Sequence, residues 1–366
     1  MNREESPMLL IGIGTAGAAM ARGVRRAFGD GMRYAVADTD AETAVEGEPF
    51  TLLGGDRLSG RGAGGDIVAG RLAAEGSIKV IDEHLEGVRL AVIVTALGGG
   101  TGGGATLEAA KHLGELGIPS VVFATTPFTF EGDDRQRNSR GVMTMIEDAA
   151  NATFFLPLDK LIGDTGNMSD AMRRAIDVVS GGVTLFWRLV ERPGYIRLDT
   201  ERLRHMLAGA GRGRFATVTV QGPGRADAAV ERIMRSEMLA VSSAPVRSTL
   251  CGILAGDDLL LSEVGKIADG VRGAFGGHTF DLATVNDEAT FSGRLSVVVM
   301  LFEAGVRGEG EEKPGSVMSG HRRRPKGALG IGPTGRGRFK NAEPTIWRDE
   351  DLDVPTFIRK NLSLDL

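Results

Sequence analysis

Along this chain, short unbroken apolar runs alternate with longer stretches of helical spacing. Met8-Leu9-Leu10-Ile11, Tyr34-Ala35-Val36-Ala37, Leu90-Ala91-Val92-Ile93-Val94-Thr95, Ser120-Val121-Val122-Phe123-Ala124-Thr125 and Thr153-Phe154-Phe155-Leu156 are runs of the first kind. Without polar alternation they predict strands buried on both faces, as in a parallel sheet. Helical patterns fall at about residues 18–28, 67–85 and 105–116, in a stretch ending near 151, and at 169–192. Strand then helix, repeated, predicts an α/β fold with a doubly wound parallel sheet and one long central helix. Past Arg192 the rhythm changes. A helix at 199–208 leads to strands at 214–220, 248–254, 279–285 and 294–302, with helices at 226–239 and 262–275. That is a smaller α+β unit. From about Gly305 the pattern stops, and Gly, Pro, Arg and Glu dominate to about Arg338, as in a disordered linker. The expected division is 1–198, 199–304, a linker at 305–345 and a terminal peptide at 346–366.

Composition narrows the class. Apolar residues at 42% and charged residues at 25% suit a soluble globular protein. A net charge of -5 gives no reason to expect nucleic acid. Cys251 stands alone, so no internal disulfide forms and a reducing compartment fits. The five histidines are scattered without metal-ligand spacing. Met1 to Pro7 is short and polar, which reads as neither a signal peptide nor a membrane span.

Glycine brings the chemistry. It is 54 of 366 residues, and much of it sits in a few loops. The richest is Gly98-Gly99-Gly100-Thr101-Gly102-Gly103-Gly104, between a strand and a helix. Chain without Cβ atoms turns sharply and lets N–H groups converge on an anion, and the helix behind adds the positive end of its dipole. A phosphate chain is the natural occupant, with the Thr101 hydroxyl among the amides; a merely flexible loop is the plain alternative. Gly12-Ile13-Gly14-Thr15-Ala16-Gly17 is a second such loop, a literal G-x-G-x-x-G. With the acids of Asp38-Thr39-Asp40 after the next strand, it matches a dinucleotide-binding fingerprint and raises a nicotinamide- or flavin-dependent oxidoreductase as the rival reading. That fold has no need of the richer loop at Gly98.

Gly98 to Gly104 resembles the signature loop of the tubulin/FtsZ superfamily, departing from it at Gly103, and the family has both glycine loops. The resemblance implies a GTP/GDP site built by Gly12, Gly14, Thr15, Ala16, Gly17, Asp40 and Gly98 through Gly104. It adds Gly62-Ala63-Gly64, in a third loop that the family turns toward the γ-phosphate. There Asp66 either caps the following helix or meets the phosphate through Mg²⁺. Pro127-Phe128-Thr129-Phe130-Glu131-Gly132-Asp133-Asp134-Arg135 is similar to the family's Pro-Phe-x-Phe-Glu-Gly-x-x-Arg, which assigns Glu131 to the ribose and Arg135 to the nucleotide; the alternative is an ion pair four residues apart. Asp177 on the central helix is the acceptor for guanine, and Met172 covers the base or is ordinary core.

In the family, an acidic loop of a second subunit completes hydrolysis. The matching stretch is Arg192-Pro193-Gly194-Tyr195-Ile196-Arg197-Leu198-Asp199-Thr200-Glu201-Arg202. Asp199 survives, Arg197 stands for an Asn, and Arg202 for a second Asp. Three outcomes are open: hydrolysis is lost or very slow; Asp199 and Glu201 share the role; or Arg197 or Arg202 acts in trans on transition-state charge. Asp351-Leu352-Asp353-Val354-Pro355-Thr356-Phe357-Ile358-Arg359-Lys360 is similar to the C-terminal peptide of bacterial FtsZ, which docks on membrane-tethering and regulatory division proteins. The resemblance as a whole implies a cytoplasmic, GTP-binding protein that polymerises head to tail for cell division, or a paralogue that forms static or mixed filaments with little hydrolysis.

Overall fold

A computed structural model describes residues 6–29, 31–162, 167–192, 194–208, 210–240, 244–277 and 279–303, and the backbone of 346–347 and 350–351. The sequence's apolar runs are strands, each longer than its run: β1 (Met8–Ile13), β2 (Arg33–Asp38), β4 (Leu90–Ala96), β5 (Ser120–Thr126) and β6 (Ala152–Pro157), with a short β3 (Phe50–Leu52) at one edge. The helices between them are α1 (Gly14–Phe28), α2 (Gly55–Leu58), α3 (Ile67–Ser77), α4 (Gly100–Glu115), α5 (Asp133–Ala149), the short α6 (Leu158–Ile162) and the long α7 (Met168–Glu191). The pattern at 67–85 divides: α3 ends at Ser77 and residues 78–84 tighten into a 3₁₀ helix. α8 (Thr200–Leu207) then leads to β7 (Gly211–Gln221), α9 (Arg225–Met234), β8 (Val246–Ala255), α10 (Leu261–Phe275), β9 (Thr279–Asn286), α11 (Glu288–Phe291) and β10 (Arg294–Glu303).

These ten strands form one sheet in the order β3-β2-β1-β4-β5-β6-β7-β10-β8-β9. From β3 to β7 the pairs are parallel, β10 runs antiparallel to β7 and β8, and β9 is parallel to β8. The order reverses between β1 and β4, the switch point where doubly wound sheets hold ligands. β1 is buried along its whole length, because helices cover both faces. One core joins α1 and α7 to the sheet; the other lies under α3, α4 and α5. A third, under α9 and α10, covers β7, β8 and β10.

α7 spans 24 residues, roughly 36 Å. At its start Met172 and Ala175 join a small apolar cluster with Phe128 and Leu158. In its middle, Ser180 fills the space beside Gly23 of α1 and donates to the Met20 carbonyl (3.0 Å). At its far end Leu189 packs on Gly252 of β8, and Arg188 reaches Asp287 (3.0 Å) and the Ala27 carbonyl. The helix is thus a strut between two ends of the molecule.

The chain from Val317 onward is a separate unit, in which Ile346–Trp347 and Glu350–Asp351 pair as a small antiparallel hairpin. The 305–345 linker and most of the 351–360 peptide lie outside the described residues.

Candidate functional site

β1 and β4 are neighbouring parallel strands, so the helices that follow them begin side by side. α1 starts at Gly14 and α4 at Gly100, and neither N-cap residue, Ile13 or Gly99, gives its helix a side-chain cap. The first-turn N–H groups of a helix have no partner within it. The two starts touch: a Cβ on Gly14 would lie 3.5 Å from the Gly102 nitrogen. Two sets of free amides and two positive dipole ends therefore meet at the carboxyl ends of two parallel strands.

Most of the signature glycines lie in the helix itself rather than on the expected turn. Only Gly98 and Gly99 lie on the turn; Gly100 through Gly104 are the opening of α4, which starts five residues earlier than its apolar pattern suggests. A Cβ at Gly102 would run into the Ala96 carbonyl oxygen, one at Gly100 into Asp66 and Ala63, and one at Gly104 into the backbone of α3. These glycines let α4 press onto β4 and α3. The turn itself falls to Gly98, with φ of 103°, while Gly99 faces open space. In the first loop, likewise, a Cβ on Gly12 would sit 2.7 Å from the Gly17 carbonyl oxygen, which brings α1 close to its own strand.

A hydroxyl network lies behind the amides. Asp38, buried at the end of β2, accepts from Thr15 (3.0 Å) and Thr43 (2.7 Å) through one oxygen and from the backbone of Thr39 (2.7 Å) through the other. Thr39 meets Thr101 hydroxyl to hydroxyl at 2.6 Å, so Thr101 ties α4 to this loop. Asp40 caps the short turn after it, accepting from the Glu42 nitrogen, and its backbone bridges to Arg61. Ala16 is half-buried beside Thr15 on the first turn of α1. The sequence placed Asp38-Thr39-Asp40 in the fingerprint but assigned only Asp40 to the nucleotide; Thr43 carries no motif and went unread.

The other predicted residues gather round this point. Asp66 caps α3, accepting from Val68 (2.8 Å) and Ala69 (3.1 Å). Gly62 donates to the Thr39 carbonyl, Ala63 is buried under Gly100, and Gly64 is exposed with open space about it. Asn138 of α5 clamps two loops by donating to the carbonyls of Gly65 (2.9 Å) and Gly98 (3.3 Å), a tie across the chain that local pattern cannot signal. Glu131 accepts from the Phe128 nitrogen (2.8 Å) with one oxygen and from Arg135 (2.8 Å) with the other, and Arg135 itself packs on Gly98. Met172 is half-buried in the apolar cluster at the start of α7, and Asp177 is exposed further along that helix. Among the described residues no hydrogen bond or ion pair engages the Asp177 side chain, and no three His, Cys, Asp or Glu residues converge as a metal site.

The acid-bearing loop lies elsewhere. It follows the far end of α7 and is pinned to β9, where Ile196 exchanges hydrogen bonds with Thr284 (2.8 and 3.0 Å). Asp199 caps α8 through the Glu201 nitrogen (3.0 Å). Glu201 turns to Arg204 at 3.8 Å. Arg202 makes a two-point pair with Asp281 of β9 (2.7 and 3.0 Å), and these hydrogen bonds raise the guanidinium's pKa above its ordinary value. Arg197 is exposed and, among the described residues, unpaired. So the four residues predicted for catalysis share one segment, but α7 holds them a helix length from the glycine loops.

Paired helix N-termini at the switch point of a doubly wound sheet make an α/β protein whose open amides suit phosphate groups. Residues 8–165 match the Tubulin/FtsZ family, GTPase domain. The chain is 28% identical to the cell division protein FtsZ of Pseudomonas putida over 98% of this chain and 90% of that one. Its structure is similar to an FtsZ dimer of M. jannaschii (TM-score 0.75, 22% identity, 82% of this chain and 89% of that one). It is also similar to a GTPγS-bound protofilament of CetZ2 from Haloferax volcanii (TM-score 0.69, 22% identity, 80% and 92%). Residues 8–165 thus resemble a tubulin/FtsZ GTPase domain, and nearly the whole chain is similar to FtsZ. Among the described residues, no helix is long and apolar enough to cross a membrane.

Proposed function

We propose that the chain binds GTP and GDP, with Mg²⁺, in the cradle where α1 and α4 begin, and assembles head to tail with copies of itself. Bound GTP supplies the phosphoanhydride bond; the protein supplies the amides of Gly14–Gly17 and Gly100–Gly103 to hold its phosphates. Glu131 and Arg135 flank the ribose side, exchanging their mutual pair for the ligand. Asp177 takes the guanine N1–H and N2–H₂ edge, a donor pair that adenine lacks, and Met172 covers the ring. The observation that carries the assembly is the separation of this cradle from Asp199: one copy holds the binding groups at one end and the acid at the other, roughly 36 Å of α7 between them. A second copy, translated along the axis of α7, brings its Asp199 to the first copy's phosphates.

Hydrolysis on this reading is slow. Glu201 pairs with Arg204 and Arg202 with Asp281, so Asp199 has no second acid beside it to share a cation or water. The same pairing favours the second reading, a paralogue that forms static or mixed filaments. The division role, the cytoplasmic location and the docking of residues 351–360 on membrane-tethering and regulatory proteins follow the relatives' names and the peptide's likeness. The test is a GTP and GDP titration of dilute protein, followed by sedimentation with GTP, GDP or no nucleotide in the presence of Mg²⁺. We expect both nucleotides to bind and GTP to drive the protein into the pellet. No binding of either overturns the assignment; binding without pelleting overturns the assembly.

A further inference from the structure

Among the described residues, Asp38 is the carboxylate that the hydroxyl network places between the two helix starts. It is 2% exposed. Thr15, the second residue of α1, donates to it at 3.0 Å, and Thr39, the next residue in the chain, meets Thr101, the second residue of α4, at 2.6 Å. Its four hydrogen-bond partners, the nitrogens of Thr39 and Asp40 and the hydroxyls of Thr15 and Thr43, all donate, which suits an acceptor-only, ionised carboxylate. Among the described residues no ion pair engages it. Arg22 is the guanidinium that reaches this turn, through the Thr43 carbonyl (2.6 Å), but its charge is committed to Glu48, which it grips through Nε (3.0 Å) and Nη2. A buried, unneutralised anion thus stands one hydroxyl away from amides built to attract another anion.

We propose that Asp38 sets the strength of the phosphate cradle: its charge opposes bound polyphosphate and so keeps nucleotide exchangeable. The inference rests on the nucleotide reading of the cradle. Asp38 touches no phosphate; it acts through Thr15 and through the field at the two helix ends, where low dielectric keeps the repulsion strong. An asparagine has nearly the same shape and keeps a carbonyl oxygen for the two hydroxyl donors, but its amide nitrogen then faces the Thr39 N–H, so the melting temperature is measured beside the affinity. A carboxylate that merely held the loop would weaken binding when replaced. One that opposes phosphate would strengthen it, and more so for the ligand with more charge.

The experiment compares GTP and GDP affinity and dissociation rate for the full chain and Asp38→Asn, at low and high salt, below the concentration of assembly. We expect Asp38→Asn to bind GTP roughly three- to tenfold tighter, to gain less for GDP, and to lose part of the gain at high salt. Equal or weaker GTP binding overturns the proposal, as does a gain that is the same for GTP and GDP at every salt concentration. If Asp38→Asn melts like an unfolded chain, Asp38→Ser, which also keeps an acceptor for Thr15, is judged by the same sign. Wild-type protein that binds neither nucleotide marks the failure of the nucleotide reading itself.

Discussion

The two ends of α7 treat their polar groups in opposite ways. At the β1 and β4 end, two helices begin without side-chain caps, and glycines press them together so that their amides open on one point. At the other end, each group of the acid-bearing segment has a local partner: Asp199 caps α8, Glu201 meets Arg204, and Arg202 is held by Asp281. Arg197 is the exception. Unsatisfied donors are costly unless a ligand or water meets them, so the first end is built to receive something. The second end is complete in itself and offers an exposed surface. On the proposed function, a single copy contains a binding site, and the hydrolytic site requires two.

The largest break of this contrast is Gly102→Ala. Its methyl would enter the Ala96 carbonyl, forcing α4 off β4, and we expect a loss of about 3 kcal/mol in stability together with nucleotide binding. Chemical denaturation and a GTP titration check both. Asp199→Ala sharpens the comparison from the other side. It removes a helix cap, worth about 1 kcal/mol, and should abolish turnover while leaving GTP affinity of the dilute protein unchanged. Weaker binding in that variant would mean that the two ends are not independent. Asp281→Asn, next in size, frees Arg202 from a half-exposed pair whose loss costs about 1 kcal/mol or less. A released Arg202 should change turnover without moving the midpoint of thermal unfolding by more than a few degrees.

Much of this was legible from residue order. Unbroken apolar runs marked β1, β4 and β5, and the glycine loops marked where the sheet would open. The start of α4 was not: glycine is a poor helix former, so Gly100 to Gly104 hid a helix whose packing requires them. Asp38 was read only as part of a fingerprint, because the role of a buried carboxylate is recognised by its donors, which come from Thr15 and Thr43 on two other elements. Arg202 looked available until β9 brought Asp281 to it, a partner 79 residues away. The division at 198 was read from a change of rhythm, yet β7 pairs with β6 on one side and β10 on the other, so the sheet runs through it.

The smallest expected effect concerns neither end. Cys251 is fully buried in β8, and burial pushes its thiol up to about 12. Because the folded value lies above the ordinary 9, the thiol's contribution to stability is full below pH 9 and fades between about 9 and 12. Alkylation at pH 8 should therefore be negligible in the native protein and rapid in denaturant.

The contrast between the ends is tested most directly by GTP turnover per molecule against protein concentration, with Mg²⁺ present and nucleotide saturating. The account predicts no turnover in dilute protein that has nonetheless bound GTP, and turnover, at a low rate, above a threshold where copies meet. Turnover per molecule that is the same at every concentration would contradict it, because a single copy would then hold the complete site.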